Sequence, residues 1–62
     1  GLSAREVEVL RLVVAGHTNR AIADRLSLSP ATIGNHVAHI LTKTNTQNRA
    51  AAVAFAVRHG LA

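Results

Sequence analysis

The stretch TNRAIADRLSLSPATIGNHVAHI, Thr18 to Ile40, decides the fold. In its second half, Ser29 offers a hydroxyl to cap a helix, and Pro30 stands at the first helical position, where its missing N–H costs nothing. Ile33, Val37, Ile40 and the following Leu41 repeat at i, i+4, i+7 and i+8, which makes one apolar stripe for a core. The opposite side of that helix carries Ala31, Asn35, Ala38, His39 and Thr42, with Gly34 at its flank and no lysine, arginine or carboxylate. In the first half, Thr18 or Asn19 caps a shorter helix of about Asn19 to Leu26, whose apolar side is Ile22, Ala23 and Leu26. Ser27–Ser29 makes a three-residue connection. Two short helices joined in this way form a helix-turn-helix. Such a motif packs its first helix across the second and leaves the outer face of the second free to enter the major groove of DNA.

Two further helices frame this motif. SARE, Ser3 to Glu6, reads as a capping box, and Val9, Leu10, Val13 and Val14 give the first helix its inner stripe before Gly16 stops it. Val7 and Leu12 fall off the stripe, as surface hydrophobes or as cover for a neighbouring domain. The polar run TKTNTQN, Thr42 to Asn48, ends the third helix. Asn48 then caps a fourth, from Arg49 to about His59, closed by Gly60. On it Ala52, Val53, Ala56 and Val57 are expected inward, with Ala51, Ala54, Phe55 and Arg58 on the other side. No strand alternation or repeat interrupts the scheme. The expected fold is all-α, a compact four-helix bundle containing a helix-turn-helix, in one domain over residues 1–62.

Composition narrows the function. A chain of 62 residues buries only roughly 60% of its unfolded surface, so its stability is marginal. The absence of Cys removes disulfides and thiolate chemistry and is compatible with the cytoplasm, which is the expected location. No apolar run approaches the roughly 20 residues of a membrane span. Charge is unevenly placed. Residues 1–24 balance Arg5, Arg11 and Arg20 against Glu6, Glu8 and Asp24, whereas residues 25–62 hold Arg25, Lys43, Arg49 and Arg58 with no acid, so the whole +4 lies there. Such a region suits a polyanionic partner, and a merely solubilising basic surface is the plain alternative. A start at Gly1 rather than Met fits a module of a longer protein.

The stretches LSAREVEVLRLVVAGHTNRAIADRLSLSPATIGNHV and NRAAAVAFAVRHGL together resemble the C-terminal DNA-binding domain of LuxR-type transcriptional regulators, the module also found in GerE, NarL and FixJ. The resemblance covers nearly the whole chain. It implies sequence-specific binding of double-stranded DNA as a homodimer at an inverted repeat near a promoter, with RNA polymerase as a further partner and no cofactor. It carries base reading to Gly34, Asn35 and Ala38. It carries backbone contacts or supporting caps to Thr18, Asn19, Arg20, Ser29, Thr32, Lys43 and Arg49, to which the position of His39 on the outer face adds that residue. The fourth helix is similar to the family's dimerisation helix, which points to Ala51, Ala54, Phe55 and Arg58. Gly34 stands where the family usually has lysine, and Ala21 where it usually has glutamate.

Without a cation at position 34, readout falls to Asn35, which can bond adenine N6 and N7, and to alanine methyls against thymine. The expected half-site is therefore A·T-leaning, anchored by Arg20, Lys43 and Arg49 on phosphates. Three other readings compete. His36 and His39, at i and i+3, could ligate a metal, but no third ligand or supporting carboxylate is nearby. An enzyme has little material, because no acid lies beyond Asp24. A degenerate helix-turn-helix acting as a protein-interaction and dimerisation module is the main alternative to DNA binding.

Overall fold

Four polar side chains set where the helices begin. Glu6 N–H donates to Ser3 Oγ at 3.1 Å, Ala21 N–H to Thr18 Oγ1 at 3.1 Å, Thr32 N–H to Ser29 Oγ at 3.1 Å and Ala51 N–H to Asn48 Oδ1 at 2.8 Å. Each satisfies an amide that lacks an intrahelical partner. In the computed structural model, which describes residues 1–61, these caps open α1 (Ala4–Val14), α2 (Asn19–Leu26), α3 (Pro30–Thr44) and α4 (Arg49–Arg58).

All four helices also close in one way. A residue at positive φ follows each: Gly16 at 93°, Ser27 at 57°, Asn45 at 54° and Gly60 at 68°. The next amide then turns back five residues, from His17 to Leu12 O, Leu28 to Ala23 O, Thr46 to Leu41 O and Leu61 to Ala56 O, at 2.8–3.1 Å. This is the closure that an αL residue permits. Ser27 achieves it without being glycine, which keeps the turn between α2 and α3 to Ser27–Ser29.

Each helix supplies two or three side chains to one core. Val9, Leu10 and Val13 of α1 meet Ile22 and Ala23 of α2, Ile33 and Ile40 of α3, and Ala52 and Ala56 of α4, all buried. Leu28 and Leu61, the residues just after two of the helix closures, pack against this cluster. No buried side-chain nitrogen or oxygen lacks a hydrogen-bond partner among the described residues.

The polar run Thr42–Asn48 ends α3 as expected, with Thr44 its last helical residue. Thr42 Oγ1 donates to Ala38 O at 3.2 Å and Thr44 Oγ1 to Ile40 O at 2.7 Å, so these threonines bond the preceding turn rather than break the helix. Two expectations, both on α4, need correction. Val57 does not face inward: it is 60% exposed, the one large hydrophobic exposed among the described residues. Phe55 is half-buried rather than free on the outer side, and its ring lies 4.3 Å, centroid to centroid, from that of His59.

Candidate nucleic-acid interface

The outer face of α3 has the composition that its periodicity implies. Ala31, Asn35, Ala38, His39 and Thr42 are all exposed, while Ile33 and Ile40 are buried and Val37 is half-buried beneath them. Gly34 is half-buried at the flank. The Asn35 side chain makes no hydrogen bond within the described residues, so its carbonyl and amino groups are both available. Ala31, Gly34 and Ala38 beside it are small, with His39 one turn on. The surface they form is free of carboxylates and bounded on one side by the start of α2.

That boundary is close. A Cβ placed on Gly34 would meet Asn19 Nδ2 at 4.0 Å and nothing nearer outside its own helix. Asn19, the first residue of α2, therefore flanks the middle of α3. Thr18 caps α2, and Arg20 is exposed with no side-chain partner among the described residues. At the start of α3, Ser29 Oγ and Thr32 Oγ1 lie 2.9 Å apart and present two hydroxyls together.

The other two expected phosphate anchors already have intramolecular partners. Lys43 Nζ lies 2.8 Å from Glu6 Oε1, with the lysine side chain 44% exposed. Glu6 is 4% exposed, and the same oxygen accepts the Ser3 N–H at 2.8 Å. The Lys43 hydrogen bond, then the Ser3 amide, hold the Glu6 carboxyl down at a pKa of about 2, against the opposing effect of burial. Arg49 donates from Nη1 to Asn19 Oδ1 at 2.6 Å and from Nη2 to the His17 carbonyl at 2.7 Å. Its guanidinium thus spans from the first turn of α4 to the first residue of α2.

The expected dimerisation residues divide. Ala54 and Arg58 are exposed on α4, Ala51 and Phe55 only partly so. The exposed set is Ala50, Ala54, Val57 and Arg58, spaced at i, i+4, i+7 and i+8 along one side. Nothing in the sequence pattern singled out Ala50 or Val57, since almost every residue of this helix is apolar. Among the described residues no group of three or more His, Cys, Asp or Glu side chains is arranged to hold a metal ion, and no helix is long and apolar enough to cross a membrane.

The family GerE, described as "Bacterial regulatory proteins, luxR family", matches residues 1–56. The chain is 42% identical to the transcriptional regulatory protein DegU of Brevibacillus brevis over 95% of its own length and 25% of DegU. It is 46% identical to the uncharacterized transcriptional regulatory protein YxjL of Bacillus subtilis over 92% of its length and 26% of that protein. Among solved structures, the response regulator ChrA of a heme-sensing two-component system superposes with a TM-score of 0.92 at 40% identity, over all of this chain and 31% of ChrA. The chain spans between a quarter and a third of the length of these proteins. It belongs to the luxR family of bacterial regulatory proteins.

Proposed function

We propose that this domain binds double-stranded DNA sequence-specifically in transcription regulation, with α3 in the major groove and two copies on one operator. The observation that carries this reading is the outer face of α3: Asn35 unbonded between small residues, with no carboxylate on the helix. Asn35 makes the bidentate contact to adenine, and the Ala38 methyl packs on thymine. The small side chains let the helix lie deep, so the favoured half-site is A·T-leaning. Ser29, Thr32, Thr18, Asn19, Arg20 and His39 surround that face with donors for the phosphates, which set register rather than sequence.

Pairing uses the exposed α4 stripe of Ala50, Ala54, Val57 and Arg58. A symmetric dimer through this stripe calls for an inverted repeat whose half-sites lie about 34–36 Å apart, one helical turn, or a multiple of that. Selection of bound sites from random duplexes tests the reading. Recovery of an A·T-rich inverted repeat supports it, and recovery of no sequence preference contradicts it.

One observation favours a second reading, a protein-interaction module. Lys43 and Arg49 both bond within the domain, and Gly34 supplies no cation. A salt titration separates the two. Phosphate binding lowers log affinity against log salt by about 0.9 per contact, whereas a helix-face protein contact is nearly insensitive.

A further inference from the structure

Arg49 and Asn19 are 30 residues apart in sequence, yet they form one of the shortest side-chain contacts in the domain, 2.6 Å from Nη1 to Oδ1. The second arm of the guanidinium grips the His17 carbonyl at 2.7 Å, in the segment that leads into α2. Two bonds from one planar group fix both the backbone and the side chain at this point, a geometry that a fork of donors can hold and a point charge cannot. A carboxamide has one acceptor end and one donor end. Because Arg49 can only donate, it takes the Oδ1 end, which leaves Nδ2 directed away from α4. That nitrogen lies where a Cβ on Gly34 would be 4.0 Å away, beside a stretch of α3 with no side chain to cover it.

We propose that Arg49 is a positioning residue that aims the Asn19 carboxamide, so that its N–H groups emerge past Gly34 as a donor to the DNA strand beside α3. This rests on the DNA-binding reading given above and changes the role of Arg49 within it. The guanidinium does not touch a phosphate; it orients a neutral group that does. The bare backbone at Gly34 leaves room for the strand to approach that group. The flank of the recognition helix is thus served by α2 in place of a side chain from α3 itself.

A double-mutant cycle on the duplex selected by the unaltered protein tests this. Arg49→Ala and Asn19→Ala each weaken binding by roughly three- to tenfold, the range for one net hydrogen bond, and the double variant loses no more than either alone. Arg49→Ala leaves the salt slope unchanged, whereas a direct phosphate contact makes it shallower by about 0.9. Arg49→Lys keeps the charge but lacks the fork, and it binds as poorly as Arg49→Ala. Additive losses, a shallower slope, or full affinity in Arg49→Lys would each overturn the proposal.

The side-chain amide resonances of Asn19 supply a readout that does not depend on the stability of any variant. In the unaltered protein they shift when duplex is added; unmoved resonances overturn the proposal. If the unaltered protein selects no duplex at all, the DNA-binding reading fails and this inference falls with it. Duplex binding with an additive cycle rejects the inference alone.

Discussion

Lys43 Nζ lies 2.8 Å from Glu6 Oε1, and this pair joins the last turn of α3 to the first turn of α1. The carboxylate also completes the α1 capping box, so one side chain serves a helix start and an interhelical tie. Removing its charge loosens both.

Stability is therefore expected to depend on pH through Glu6. Its folded pKa of about 2 lies below the ordinary value of 4.5, so the unfolded chain binds the proton more tightly. The contribution is fully present above the unfolded value and is lost as pH falls from about 4.5 through about 2. Thermal melts across this window should show Tm falling for the natural sequence and falling less for Glu6→Gln. An identical pH profile in the two proteins would contradict the assignment.

Gly34→Ala should stabilise the domain by about 0.5–1 kcal/mol, the usual gain from replacing a mid-helix glycine. The added methyl meets only Asn19 Nδ2, at ordinary contact distance, and the backbone there is not at positive φ. Urea unfolding checks this, and a lower midpoint would mean that the flank of α3 is more crowded than the structure has it.

Much of the architecture could be read from local chemistry. Ser3, Thr18, Ser29 and Asn48 cap the helices because a cap depends only on the few residues after it. The α3 faces follow from periodicity, since Asn35 and His39 stand clearly apart from Ile33 and Ile40. In α4 the run AAVAFAV offers no polar residue to mark the outer side, so Val57 and Phe55 could not be oriented by pattern. Pairs such as Lys43 with Glu6, 37 residues apart, form only when the helices pack. Residues 25–62 lack acids in sequence, yet in the folded domain Lys43 has a carboxylate partner from α1.

Val57→Glu should reduce cooperative binding to a duplex with two half-sites while leaving helicity and single half-site affinity unchanged. Circular dichroism and gel-shift titrations on one- and two-site duplexes distinguish these. Unchanged cooperativity would move the dimer contact away from the exposed α4 stripe.

Asn35→Ala should cost about 1–3 kcal/mol on the selected duplex and relax the preference at one base pair. Repeating the site selection with the variant measures this. A strong guanine requirement opposite position 35 in the unaltered protein would contradict adenine readout.

The most direct test follows backbone amide resonances as the selected duplex is added. The largest shifts should fall on Gly34, Asn35 and Ala38, with smaller ones at Thr18 to Arg20 and at Ser29 and Thr32, and little change along α1. Shifts confined to α1 and the exposed side of α4, with α3 unmoved, would contradict the placement of this helix against DNA.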